Sequence, residues 1–268
     1  MSKITKITLQ KRNKGRYNIF LDRGQGEEYA FSVDEDVLIK YQLKKGLELD
    51  EEYLKTLIEE DEKKKTYHLA LNYLSYRMRS IDEIKKYLLK KERVEEHIDE
   101  VIQTLIEQKL LDDHEFARAF VQTKRLTQVK GPLKLKQELM QKGVSKTDIE
   151  EVIQTIPKEE QINEARKWLE KQANKSTKHS NRAYKDKLAI QLQSKGYSHS
   201  IINEALHHVE IEKEGDDEWE ALCYQAEKVE KKYQGKYERW EYVQRFKQAL
   251  YRKGFAAELI ERYIDQKL

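Results

Sequence analysis

The sequence is poor in the residues that most often announce chemistry. Cys223 is the only cysteine in 268 residues, which excludes an internal disulfide and a thiolate metal cluster within one chain; its thiol is expected to serve as a small core hydrophobe. Two prolines and ten glycines are too few for a chain of many short strands and turns. Charged residues make up 38%, a balance that favours long solvated helices, so the expected fold class is mainly α. The seven histidines include one adjacent pair, His207 and His208, whose side chains point apart on a helix, and none keeps the spacing of a zinc site. There is neither a GxxxxGK[ST] loop nor a GxGxxG turn, so nucleotide binding has no local support. No metal, cofactor, small-molecule ligand or catalytic residue is expected, and no enzyme. No run approaches the roughly 20 apolar residues that cross a bilayer, and MSKITKITLQK has no apolar signal core, so a cytoplasmic protein without a membrane contact is expected.

What the chain does have is repetition. LMQKGVSKTDI (Leu139 to Ile149) returns as LQSKGYSHSII (Leu192 to Ile202) and LYRKGFAAELI (Leu250 to Ile260). Each carries Lys-Gly between two apolar helical faces. The glycines, Gly143, Gly196 and Gly254, fit left-handed turns that close one helix before the next begins. After the turn, Ile149, Val152, Ile153 and Ile156 fall at helical spacing, as do Ile202, Ala205, Leu206 and Val209. A weaker copy runs from Leu88 to Ile98, with Glu92 in the place of the glycine. Upstream of each copy lies an alanine with an aromatic three residues on: Ala70/Tyr73, Ala117/Phe120, Ala165/Trp168 and Ala221/Tyr224. Each unit therefore gains a first helix. The pattern predicts tandem three-helix repeats over 61–109, 110–157, 158–214 and 215–268, stacked into an elongated curve.

Residues 1–60 differ in kind. KITKITLQ, RYNIFLD and EEYAFSV alternate β-formers and predict a small three-stranded sheet, followed by short helical segments from Asp34 and from about Asp50. The stretch EEDEKKK that follows reads as a solvated junction. The tyrosines fall mostly at apolar helical positions, as core rather than as base-stacking platforms.

Net charge is only +3, so a charged partner would have to be met by uneven placement. Arg118 to Lys142 carries seven basic residues against Glu138 alone, Lys171 to Lys187 six against one, and Lys228 to Lys253 nine against three. Glu92 to Glu107 leans the other way, with six acids and one base. Basic residues collect on the ends of first helices and on second helices, acids on third helices. Their recurrence points to a positive binding face along the stack, over a solvated surface with incidental asymmetry. A sequence-specific DNA reader would need a basic third helix, and a neutral scaffold leaves the basic bias without a cause.

ALNYLSYRMRSIDEIKKYL (Ala70 to Leu88), LLDDHEFARAFVQTKR (Leu110 to Arg125) and GPLKLKQELMQKGV (Gly131 to Val144) together resemble the signature of the RecX family, bacterial regulators of the RecA recombinase. The resemblance implies an all-helical, non-enzymatic modulator that lies along the RecA–DNA filament and restrains its growth, ATP hydrolysis, strand exchange and repressor cleavage. With four units and a sheet region, the chain resembles the longer forms. The partners implied are the RecA filament and the single-stranded or duplex DNA it holds. The residues that fit such a contact are Arg77, Arg79, Lys85 and Lys86 in the first unit and Arg118, Lys124, Arg125, Lys130, Lys134 and Lys136 in the second. Asp112 and Asp113 suit a helix cap better than a contact.

Overall fold

The computed structural model describes residues 2–24, 26–173, 175, 178–209 and 215–267. It forms two compact units, Met1–Phe116 with Lys142–Ser145, and Ala117–Gln141 with Lys146–Leu268.

In the first unit, β1 (Ser2–Leu9), β2 (Arg16–Asp22) and β3 (Glu27–Asp34) form an antiparallel meander. A two-residue strand, β4 (Glu48–Leu49), pairs with β1 and completes the order β3-β2-β1-β4. The alternation predicts three strands; the fourth is too short to leave a periodic trace. One face buries Ile4, Ile19, Leu21 and Val33 against Val37 of α1 (Glu35–Lys40) and Leu57 of α2 (Glu51–Leu74). Asp34 and Asp50 cap these two helices by accepting the N–H groups of Asp36 and Tyr53.

Helix α2 runs unbroken through position 60, so the expected boundary there falls inside a helix. EEDEKKK is also not a solvated junction. Its Asp61 is 2% exposed and accepts from the Arg16 guanidinium at 2.7 Å and the Asp34 N–H at 2.8 Å. Leu54, Leu57 and Asp61 share one helical stripe, so a carboxylate stands where an apolar residue would, and a half-buried arginine from β2 compensates it. Beyond Asp61, α2 packs Ala70 against α3 (Ile81–Lys90) and α4 (Glu95–Glu107), whose Ile84, Leu88, Ile98, Val101 and Leu105 close a second core.

Helix α5 (Asp113–Thr127) leads into the second unit. There α6 (Pro132–Gln141) pairs with α7 (Lys146–Gln154), and α8 (Lys158–Ala173), α9 (Asn181–Ser194) and α10 (His199–His207) enclose a core of Leu169, Leu188, Leu192, Tyr197 and Ile202. The last group is α11 (Gly215–Tyr233), α12 (Arg239–Arg252) and α13 (Ala257–Lys267), packed around Leu222, Phe246, Leu250 and Phe255. Cys223 sits half-buried at the edge of that core. The four marker alanines, Ala70, Ala117, Ala165 and Ala221, are all buried.

Gly143, Gly196 and Gly254 follow α6, α9 and α12 with φ of 76°, 93° and 87°, the left-handed region open to glycine without strain. Glu92 takes the same conformation, φ 57°, in the copy without glycine. The glycines have a second duty. A Cβ on Gly143 would lie 2.3 Å from Asp82, one on Gly196 2.4 Å from the Lys134 nitrogen, and one on Gly254 2.7 Å from Ser180.

At each of these places the chain closes on the start of the preceding second helix. The Ser80 hydroxyl donates to the Lys142 carbonyl at 2.7 Å while accepting the Glu83 N–H. The Ser180 hydroxyl does the same with the Lys253 carbonyl, at 2.6 Å, and the Ala183 N–H. Between them Gly131 has no hydroxyl, and its own N–H donates to the Lys195 carbonyl at 2.8 Å while Leu133 donates to Gly196 at 3.1 Å. Within the second unit, the C-terminus of α12 thus abuts the N-terminus of α9, and that of α9 abuts α6. Orphan carbonyls meet orphan N–H groups, and the helix dipoles align head to tail.

Candidate functional site

The expected site is the set of basic residues on second helices and first-helix ends. Most of it is neutralised from within. Lys85 on α3 contacts Asp99 on α4 at 3.0 Å, Lys136 on α6 contacts Glu150 on α7 at 2.9 Å, and Lys247 on α12 contacts Glu261 on α13 at 2.6 Å. The lysine always stands three residues before the anchor leucine, and the acid directly after the isoleucine. The bias of basic second helices and acidic third helices is therefore a repeating intra-repeat ion pair. The third repeat has Ala189 and Asn203 at the equivalent positions. Hydrogen bonds from Asp99 and Glu95 raise the Lys85 pKa, and that from Lys136 lowers the Glu150 pKa.

Other members of the set are also occupied. In the first unit, the Arg77 guanidinium reaches Glu83 at 2.9 Å and Lys86 reaches Asp82 at 2.6 Å. Arg79 lies over the Tyr73 ring at 3.9 Å, and Tyr73 stacks on Tyr87 at 3.9 Å between centroids. Arg79 thereby becomes the outer layer of a π stack. Glu83 also receives Lys142 at 2.8 Å. Burial alone would raise its carboxyl, but the hydrogen bonds and charges of Arg77 and Lys142 outweigh that and hold its pKa at about 2.

In the second unit, Arg125 turns to α8, where Glu160 at 2.6 Å and Glu164 at 2.7 Å bind it. Burial would lower its pKa, and the two carboxylates raise it instead. Glu164 also accepts the buried Tyr197 hydroxyl at 3.2 Å. Lys130 pairs with Glu138. Arg118 occupies an exposed position on α5. Among the described residues Lys124 and Lys134 meet no carboxylate: Lys124 lies over the Phe120 ring at 5.4 Å, and Lys134 donates to the Gln137 amide oxygen at 3.3 Å.

The second unit also exposes cations outside the three family motifs. Arg182, Arg252 and Lys253 line one cleft beside the α9–α12 contact. Among the described residues, no helix is long and apolar enough to cross a membrane.

Comparison with known proteins agrees with this architecture. The family model for the regulatory protein RecX N-terminal domain matches residues 2–50. Those for the first, second and third RecX three-helix domains match 67–105, 112–153, and both 159–206 and 216–264. The chain is 54% identical to the regulatory protein RecX of Halalkalibacterium halodurans, covering 99% of this chain and all of that one. It is 42% identical to that of Bacillus cytotoxicus, over 100% of this chain and 98% of the other. A solved structure of regulatory protein RecX aligns with a TM-score of 0.69 at 37% identity, covering 77% of this chain and all of its own. The structure of RecX from Lactobacillus salivarius aligns with a TM-score of 0.54 at 31% identity, covering 57% of this chain and 99% of its own. With the sheet region and all the three-helix groups matched, the chain belongs to the RecX family of regulatory proteins.

Proposed function

We propose that this chain restrains the RecA recombinase by binding the RecA–DNA filament, limiting filament growth, ATP hydrolysis, strand exchange and repressor cleavage. The reading rests on the end-to-end match with proteins named regulatory protein RecX, together with the three motifs that resemble the family signature. The ion-pair pattern refines which residues carry the contact. A cation already held by a carboxylate must surrender that partner to bind another, so little net attraction is left. Among the described residues, Arg79, Lys124 and Lys134 are the expected cations that pair with no carboxylate; Arg79 is held at 3.9 Å over the Tyr73 ring within a stack, which leaves Lys124 and Lys134 to attract an acidic groove or a phosphate.

Steady-state RecA ATPase on single-stranded DNA tests this. Lys124→Glu with Lys134→Glu is expected to lose most of the suppression while melting like the wild type, since both sites reach solvent. Lys85→Glu with Lys136→Glu is expected to keep the suppression and to melt slightly lower, because it breaks two intra-repeat pairs. A Lys124/Lys134 variant that still suppresses RecA at the wild-type concentration would remove these lysines from the mechanism.

A further inference from the structure

Helix α12 presents an unusual outer face. Aromatic side chains elsewhere in its group are buried or half-buried: Phe246 and Phe255 are core, and Tyr242 packs against Phe246. Trp240 and Tyr251, by contrast, are 76% and 62% exposed. Eleven residues separate them, which on an α-helix returns to within about 20° of the same direction after about 16 Å. Both rings therefore lie on one face. Between them Gln244 and Lys247 fall on the same stripe and supply polar atoms rather than further apolar surface. A stripe of this composition does not match the apolar face that a helix buries in a protein groove.

At the Tyr251 end the stripe runs into the cleft of about 260 Å³ at the α9–α12 contact. Arg182, Arg252 and Lys253 line it, all exposed and, among the described residues, none in an ion pair. Asp186 lines it too, one turn along α9 from Arg182, leaving a local excess of two positive charges. These cations differ from those of the first and second repeats, where the carboxylates of the third helix or of neighbouring turns have taken most of the positive charge. The walls of the cleft are fixed. Gly254 fits against Ser180 and Arg182 with no room for a Cβ, and the Ser180 hydroxyl ties α9 to the Lys253 carbonyl.

Exposed aromatic rings in a line, polar groups between them and a cationic cleft at one end match the needs of an unpaired nucleic-acid strand. Bases stack on the rings, and phosphates seat among the guanidinium and ammonium groups. A duplex cannot use the rings, because its bases already stack on one another. We infer that the outer face of α12 and the α9–α12 cleft form a binding site for single-stranded DNA, with Trp240 and Tyr251 as stacking platforms and Arg182, Arg252 and Lys253 as phosphate ligands. Tyr251, 62% exposed, stands apart from the tyrosines that fall at packing positions. It rests on the functional reading above only in that the filament encloses such a strand, and it is tested with no recombinase present.

The probe is a fluorescein-labelled oligothymidylate of about 20 nucleotides, long enough to cover a site of this span. It is titrated with the full-length protein by fluorescence anisotropy, alongside intrinsic tryptophan emission. Binding is expected to quench Trp240 and to weaken steeply with salt. Tyr251→Ala is expected to weaken it about tenfold, the effect of one lost stacked base. Arg182→Ala with Arg252→Ala is expected to weaken it further and to reduce the slope of log affinity against log salt by about 1.4, two phosphate contacts at the single-strand value. All three side chains are exposed, so the folded state should survive each change, and far-UV circular dichroism checks that. Three outcomes overturn the inference: no binding of the oligonucleotide, equal affinity for a duplex of the same length, or Tyr251→Ala binding as the wild type does. None of them bears on whether Lys124 and Lys134 act on RecA, which the ATPase assay decides separately.

Discussion

Replacing Gly131 with alanine should separate the steric duty of a glycine from its conformational one. Gly131 is buried and lies outside the left-handed region, so alanine meets no backbone strain there. Its Cβ, however, would stand 2.4 Å from the carbonyl carbon and oxygen of Gly196 and 2.6 Å from the Tyr197 nitrogen. These are backbone atoms, which cannot swing aside as a side chain can. Ordinary contact begins near 3.4 Å, so the α6–α9 contact must open by about 1 Å. Opening on that scale breaks the bonds from Gly131 to Lys195 and from Leu133 to Gly196, now 2.8 and 3.1 Å. Two backbone hydrogen bonds at about 1 kcal/mol each, with the cost of burying their partners unsatisfied, give about 2–4 kcal/mol. For a domain of this size that amounts to roughly 5–15 °C in Tm. Gly24→Ala is the matched control: its φ is 95° but nothing lies within 4 Å of the added carbon, so only the conformational term of about 1 kcal/mol applies. Thermal melting by circular dichroism compares the two, and hydrogen exchange at the Gly131 and Leu133 amides locates the damage. A Gly131→Ala protein that melts no lower than Gly24→Ala, with both amides still protected, would refute the reasoning.

Three other outcomes are expected. Because the folded Glu83 pKa lies at about 2 against 4.5 unfolded, its contribution is fully present above about pH 4.5 and lost as pH falls through about 2; the full shift corresponds to at most about 3 kcal/mol, which solvent around Arg77 reduces to about 1–2. Glu83→Gln, which can still close the capping box, should therefore melt lower than wild type at pH 7 and converge with it near pH 2; a constant gap over that range would show that the charge is not responsible. Asp61→Ala strands the Arg16 guanidinium and the Asp34 N–H in the sheet core and should cost about 3–5 kcal/mol in chemical denaturation, far more than Glu59→Ala two residues away, where the carboxylate is exposed. Glu92→Gly relieves a left-handed residue at φ 57° and should raise the melting temperature or leave it level, as the released strain of about 1 kcal/mol is partly offset by the freer unfolded chain; a clear drop would mean that the Glu92 side chain holds a contact of its own.

The repeats were legible because they are written in apolar periodicity. Leucine at the anchor, isoleucine ten residues on and alanine in the first helix are all buried, and burial is what a 3.6-residue period records. The glycines were legible as turns, since Lys-Gly after a helical run has few other meanings. The electrostatics were not. Counting charges along the chain from Arg118 to Lys142 sees one acid, but Glu150, Glu160 and Glu164 arrive from α7 and α8 and take up Lys136, Arg125 and its neighbourhood. Asp61 shows the same limit in reverse. Within EEDEKKK it looks like one more solvated acid, and its partners, the Arg16 guanidinium 45 residues away and the Asp34 N–H, arrive from β2 and β3. Linear sequence reports which face of an element is apolar; it does not report which charge a distant element will bring.

The contact between successive second helices has a consequence for how such chains vary in length. Within the second unit its two sides are a carbonyl beside a glycine and a serine hydroxyl or bare N–H at a helix start, so recognition rests largely on main-chain atoms. Side chains add to this main-chain core, as Arg125 does where it meets Glu160 and Glu164 of α8. Such a coupling is indifferent to which module is plugged into it, and a duplication or loss that begins and ends at these points leaves every remaining connection chemically intact. Solved relatives align over 77% and 57% of this chain while using nearly all of their own, a difference in length that such a fitting permits.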